Sequence, residues 1–338
     1  MNLDVYVLDS ALVPHTQEVQ VEQQVLEGCA TVHLLRLSSD VDFLPHRDKA
    51  SAIILWHQLA LTRQLIEQLS KTRLIVRNGV GFENVDIVAA AERGIAVCNV
   101  PDYGTEEVAD HAITLALCLN RQMPALAKDI QQGNWRWQTA LKARRLRGKS
   151  FGIVGCGRIG TATALRAKAL GLNVSFFDPY LPQGYQKAIG VARFTRLADL
   201  LHSADFVSLH TPLTEETRYL IDSEQLRSMK SEAYLINTSR GPVVRQTALE
   251  EALEKGWIAG AALDVLEHEP AGLDSLLRFG NCILTPHSAF YSQESLVEMR
   301  RTAAQTVRDA LTGNGFANVV NGVTESTDAG GARRNARR

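Results

Sequence analysis

The chain has 338 residues, 45% of them hydrophobic and 22% charged. That length suits two domains of ordinary size, and the composition excludes global disorder. Its 36 basic and 37 acidic residues leave a formal net charge of -1, too even a balance to recruit nucleic acid or an anionic membrane across the surface.

The opening MNLDVYVLDS lacks a basic segment followed by an apolar run, so no secretory leader is expected. No apolar stretch approaches the roughly 20 residues of a spanning helix. Five scattered cysteines (29, 98, 118, 156 and 282) form no CxxC pair. They read as reduced thiols of a cytoplasmic protein, not as a disulfide frame or a zinc site. Short β-branched runs then recur: VYVLD (5–9), TVHLLRL (31–37), SAIILW (51–56), RLIVRN (73–78) and IAVCNV (95–100). Helical stretches are expected between them at 61–69 and 84–94. A long helix-forming stretch, 106–133, predicts one or two helices bridging two halves. The rhythm restarts with SFGIVG (150–155), NVSFFD (173–178), FVSLHT (206–211), AYLINT (233–238), GAALDV (260–265) and CILTPH (282–287). A last helix over 295–313 is expected to return the chain to the first half. Strands alternating with helices predict an α/β architecture of parallel βαβ units in both halves. The tail 325–338, with four arginines and no apolar periodicity, is expected to be disordered.

The strand FGIVG runs straight into Gly155-Cys156-Gly157-Arg158-Ile159-Gly160 and then a helix. This is G-x-G-x-x-G in the setting that a dinucleotide requires. The first glycine permits the tight turn, the second admits a pyrophosphate, and the third lets helix pack on strand. The helix N-terminus adds free N–H groups and partial positive charge. The next strand ends at Asp178, 18 residues after Gly160, where a carboxylate would bond the ribose hydroxyls and repel a 2′-phosphate. That favours NAD over NADP. Each feature alone has a structural explanation, a glycine-rich turn or a capped strand end. Together they predict a cofactor site.

Three side chains at the ends of late strands have the chemistry to reduce a 2-keto acid: Arg240 in NTSRG, Glu269 in EHEP and His287 in TPHSA. Arg240 offers a planar fork for a carboxylate and ketone oxygen. His287 is the candidate proton donor, because imidazole titrates at about 6.5, near working pH. A neighbouring Glu269 would favour the imidazolium and fix its tautomer. The histidines show neither HExxH nor a Cys/His cluster, so no metal site is expected.

At these residues the sequence resembles the D-isomer-specific 2-hydroxyacid dehydrogenase family over roughly residues 1–320. The matching blocks are VRNGVGFENVD (76–86), GIAVCNVP (94–101), GIVGCGRIG (152–160), LHTPLTEETRYLI (209–221), LINTSRGPVV (235–244), AALDVLEHEP (261–270) and LTPHSA (284–289). The resemblance implies two Rossmann-like doubly wound parallel-sheet domains. A discontinuous, flavodoxin-like substrate domain would take residues 1–101 plus 288–322, an NAD-binding domain 102–287, and a disordered tail 323–338. It carries the family's catalytic Arg, Glu and His onto Arg240, Glu269 and His287. Cofactor contacts fall on Gly155, Gly157, Arg158, Ile159, Gly160 and Asp178, on Thr211 and Pro212 of LHTP, on Thr238, and on Asp264 at the nicotinamide amide. The substrate-carboxylate loop falls on Val80 and Gly81. Within the family the chain looks most like the C-terminal-binding-protein branch, whose members are dehydrogenase-like corepressors. By that similarity His57 and Arg77 face the substrate, and Phe290 stands where the branch carries tryptophan. Trp56, Phe82, Tyr103, Phe290 and Tyr291 suggest an apolar pocket wall. A homodimer, with the 106–133 stretch at its interface, is the family expectation.

Two functions compete. One is an NAD-dependent dehydrogenase moving hydride between NADH and a small 2-keto acid. The other is an NAD(H)-sensing, corepressor-like binding protein with vestigial catalysis. The intact Arg240, Glu269 and His287 favour the enzyme, and they also disfavour a purely structural pseudoenzyme.

Overall fold

The computed structural model describes residues 3–269 and 273–324. The predicted tail at 325–338 lies outside the described residues. The chain divides into two compact units, one of residues up to Tyr103 together with those from Gln293 on, the other Gly104–Ser292.

The first unit is a five-stranded parallel sheet of β1 (Leu3–Ser10), β2 (Ala30–Leu37), β3 (Ala50–Leu55), β4 (Leu74–Arg77) and β5 (Ala96–Asn99), in the order β2-β1-β3-β4-β5. Its central strands are buried on both faces, which is why they read as unbroken apolar runs. The covering helices are short: α1 (Gln20–Val25), α2 (Arg63–Ile66) and α3 (Ile87–Glu92). Both α2 and α3 are shorter than the sequence reading. Leu61 pairs with Val85 in an isolated parallel bridge, so α2 begins beyond it. Asp86 caps α3 by accepting from the Ala89 amide at 2.8 Å, which excludes Asn84 and Val85 from the helix.

The second unit begins with α4 (Thr105–Arg121) and α5 (Met123–Gln131). The long helix-forming stretch is therefore two helices, divided at Gln122, whose φ is 56°. Then come β6 (Ser150–Val154), α6 (Arg158–Ala169), β7 (Asn173–Phe177), α7 (Tyr185–Ile189), β8 (Ala192–Phe194), α8 (Leu197–Ser203), β9 (Phe206–Leu209) and α9 (Ser223–Ser228). β10 (Tyr234–Asn237), α10 (Gln246–Glu254), β11 (Gly260–Leu263), α11 (Leu273–Leu277) and β12 (Cys282–Leu284) complete it. The seven parallel strands lie in the order β12-β11-β10-β9-β6-β7-β8, a doubly wound sheet that reverses direction between β6 and β9. Phe151 and Ile153 of β6 pack in one apolar layer with α4 and α6, and Val154 in the opposite layer with α8 to α10.

The last helix, α12 (Gln293–Leu311), belongs to the first unit. Its Arg300 forks onto the buried Glu22 carboxylate of α1 at 2.7 and 2.6 Å, and Arg308 donates to the Val25 carbonyl at 2.8 Å. Beyond it, Val320 donates to the Val97 carbonyl at 2.8 Å, fastening the chain to β5. Among the described residues no helix is long and apolar enough to cross a membrane.

Candidate active site

The cofactor turn sits where the sheet of the second unit reverses. Gly155 has φ 85°, and a Cβ there would fall 2.8 Å from the His210 carbonyl oxygen; at Gly160 it would fall 2.0 Å from the oxygen of Gly155. Neither position accepts a side chain. Gly157, the residue that opens α6, has nothing within 4 Å of such a Cβ. That open side is the approach a pyrophosphate needs, in front of the first amides of α6 at Arg158 and Ile159. Asp178 follows β7, and its carboxylate accepts from the Cys156 amide at 2.9 Å and the Tyr180 amide at 3.0 Å. Asp178 and the glycine turn are thereby one piece. Burial pushes the Cys156 thiol up to about 11, so the turn holds no thiolate to repel phosphate.

Two threonine hydroxyls beyond the adjacent strand ends, Thr211 after β9 and Thr238 after β10, are buried with no partner among the described residues. Buried hydroxyls normally find a partner, and a nicotinamide dinucleotide laid across these strand ends supplies one. Pro212, exposed beside Thr211, accepts the Thr217 hydroxyl on its carbonyl at 2.7 Å. The residues present fit the dinucleotide.

The candidate acid–base pair lies on the same unit. Nδ1 of His287 stands 2.7 Å from Oε2 of Glu269, whose Oε1 accepts from the Leu266 amide at 3.0 Å. Burial alone would raise the Glu269 pKa. The hydrogen bond and charge of His287 outweigh it, joined by the Leu266 amide and the charge of Arg240, and hold the carboxyl below its ordinary value. Arg240 donates from Nη1 to the Ser239 carbonyl at 2.7 Å, and its own carbonyl accepts from Asn237 Nδ2 at 3.0 Å. A Cβ on the next residue, Gly241, would fall 1.7 Å from the Leu266 oxygen. That glycine lets the Arg240 segment press against the one leading to Glu269.

Asp264, at the end of β11, is buried and accepts from the Thr285 hydroxyl at 2.5 Å and from the amides of Ser288 and Ala289, both at 2.9 Å. Its carbonyl accepts from the His287 amide at 2.8 Å. Sequence reasoning passed over Thr285 and also His111, whose Nε2 lies 3.0 Å from the Thr285 hydroxyl. Thr285 stands only two residues before His287 and was open to notice. His111 is 174 positions away on α4 and carried no local signal.

The remaining candidates divide between the units. Phe290 lies in the second, packed against Gly104. His57, Val80 and Gly81 lie in the first, past the carboxyl ends of β3 and β4, and Arg77 is the last residue of β4. Asn99 Nδ2 donates to the Val80 carbonyl at 2.6 Å and the Val100 amide to the Gly79 carbonyl at 2.9 Å. No hydrogen bond to the Val80 and Gly81 amides occurs among the described residues, which leaves both donors for an anion. The ring of Trp56, expected in a pocket wall, is instead buried and stacked on His15 at 5.1 Å. Arg193, on the short β8 that the sequence reading missed, comes within hydrogen-bonding distance of three carbonyls (Asp178, Leu181 and Pro182) at 2.6, 3.0 and 3.2 Å.

The chain is similar to several known proteins. Residues 113–289 match the family model described as D-isomer specific 2-hydroxyacid dehydrogenase, NAD binding domain. The D-3-phosphoglycerate dehydrogenase of Methanocaldococcus jannaschii is 37% identical over 300 residues, covering 89% of this chain and 55% of the relative. C-terminal-binding protein 1 of Caenorhabditis elegans is 35% identical over 309 residues, covering 88% and 42%. The chain thus spans about half the length of the curated relatives it matches. The crystal structure of the D-lactate dehydrogenase of Aquifex aeolicus, complexed with NAD and lactic acid, superposes with a TM-score of 0.83 at 28% identity, covering 92% of this chain and 96% of that one. With a matching NAD-binding model over more than half its length and the same two-sheet architecture, the chain belongs to the D-isomer specific 2-hydroxyacid dehydrogenase family.

Proposed function

We propose that the protein is an NAD-dependent D-2-hydroxyacid dehydrogenase that interconverts a small 2-keto acid and its 2-hydroxy acid. The observation that carries this reading is the His287–Glu269 pair at 2.7 Å, set in the same unit as the cofactor turn and within the field of Arg240. When bound, NADH supplies the hydride that the C2 carbon accepts. The chain's residues do the rest. Arg240 grips the carboxylate and carbonyl oxygen of the substrate. His287, held through Nδ1 by Glu269, gives a proton from Nε2 to the carbonyl oxygen in reduction and takes it back in oxidation. Glu269, kept ionised, balances the imidazolium and fixes the ring. The Asp178 carboxylate favours NAD over NADP, since a 2′-phosphate would meet like charge.

Five free cysteines suit a reducing cytoplasm. A homodimer is supported by an exposed apolar patch of the second unit: Trp135 at 91%, Trp137 at 71% and Leu141 at 70% exposure. The likeness to C-terminal-binding protein 1 favours one other reading, an NAD(H)-sensing binding protein. Oxidation of NADH, followed by its absorbance over a panel of 2-keto acids, tests the two. Turnover of one acid supports the dehydrogenase. NADH binding with no turnover of any acid supports the sensor.

A further inference from the structure

The segment that carries His287 is held by donors that begin on α4. The Asp264 carboxylate takes three hydrogen bonds from residues 285–289. A carboxylate only accepts, and a threonine hydroxyl has one proton to give. The Thr285 proton is spent on Asp264, so Thr285 Oγ1 accepts from His111 Nε2, 3.0 Å away. The direction of the chain is thereby fixed: His111 to Thr285 to Asp264.

One helical turn earlier on α4, the Glu107 carboxylate accepts from the Ser292 hydroxyl at 2.8 Å. The same helix face thus holds both ends of the 285–292 segment. Between these tethers His287 adopts φ 51°, a left-handed conformation that a residue with a side chain keeps only when its surroundings impose it. Its amide lies 2.8 Å from the Asp264 carbonyl. The orientation of the imidazole follows from the rotamer of Asp264, and that rotamer is set by Thr285 and His111.

We propose that His111 and Thr285 are positioning residues for His287, acting through Asp264. Only the kinetic consequence rests on the dehydrogenase reading. The test compares Thr285→Val and His111→Leu with the conservative Thr285→Ser and His111→Gln, first by hydrogen exchange over residues 285–292 without cofactor. The Ser288 and Ala289 amides should exchange roughly tenfold faster in the first pair and at the wild-type rate in the second, because Thr285→Val loses the hydrogen bond to the Asp264 carboxylate and His111→Leu the donor that keeps the Thr285 hydroxyl turned to it, while the conservative variants keep both. On a keto acid that the wild type reduces, Thr285→Val should lower kcat on the order of 100-fold with KM little changed, and Thr285→Ser should restore it. Wild-type exchange or wild-type kcat in Thr285→Val overturns the proposal. Altered exchange in a protein whose wild type reduces no keto acid leaves the positioning standing and removes the dehydrogenase reading instead.

Discussion

Glu269 and His287 are 18 positions apart in the chain, yet Oε2 of one stands 2.7 Å from Nδ1 of the other. The contact engages the ring nitrogen that faces away from a substrate bonded at Nε2. It fixes the tautomer and places a negative charge behind the ring. An acid–base histidine needs both.

Replacing Glu269 with glutamine removes that charge while keeping a hydrogen-bonding group. In the reductive direction the carboxylate fixes the ring and sets a negative charge beside the proton donor. Its loss should reduce kcat/KM about tenfold or more. A kcat/KM that stays at the wild-type value would show that Glu269 does not act through His287. The pair also bears on acid stability. Because the Glu269 carboxyl lies below its ordinary value, its contribution is present above about pH 4.5 and lost as pH falls through the lower, folded value.

On the proposed reading Asp178 sets the cofactor preference. Exchanging it for serine removes a negative charge from the place where a 2′-phosphate would sit. Two charges about 4 Å apart cost on the order of 1 to 4 kcal/mol, so the ratio of NADPH to NADH affinity should rise at least about fivefold. Arg193 has three carbonyl acceptors within reach, so full reversal to NADPH is not expected. Direct binding titration of both nucleotides reads the ratio, and an unchanged ratio removes Asp178 from discrimination.

His210, next to Thr211 in the chain, is half-buried, its Nε2 2.9 Å from the Ser208 hydroxyl, and burial pushes its pKa down to about 3. In the unfolded chain an imidazole takes a proton below about pH 6.5; here it stays neutral until about 3. Its share of stability is whole above pH 6.5 and falls as pH drops from there towards 3, at up to about 1.4 kcal/mol per unit. Urea midpoints measured from about pH 7 to pH 5 should decline in the wild type and decline less in His210→Asn. Parallel decline of the two proteins would assign the acid sensitivity to other groups.

Trp137 and Leu141 are exposed in the single chain. If a second copy covers them, Trp137→Glu together with Leu141→Glu should convert a dimer to a monomer in sedimentation, since a charge buried in an apolar interface is costly. A wild type that sediments as a monomer, or a double variant that still dimerises, would contradict this.

Much of the architecture was legible because buried parallel strands read as short β-branched runs, as SAIILW and AYLINT do. β8 escaped, being three half-exposed residues at the sheet edge. α2 was read too long because the bridge of Leu61 to Val85 is a tertiary contact that periodicity does not report. The glycine turn and Asp178 were legible for a local reason: one strand–turn–helix and the following strand contain all of it. Arg240, Glu269 and His287 stood out by residue type at strand ends. The hold of His111 on Thr285 did not, since it joins a helix face to a loop 174 positions on. Trp56 misled because an aromatic after a strand suits a pocket wall or a core equally well.

The most direct test is NADH oxidation with the panel of 2-keto acids, run side by side for the wild type and His287→Ala, with NADH affinity measured for both. The wild type should turn over at least one acid, and the variant should lose on the order of 100-fold or more of that activity with unchanged NADH affinity. Equal turnover by the two proteins, or none by a wild type that binds NADH, would contradict the proposed function.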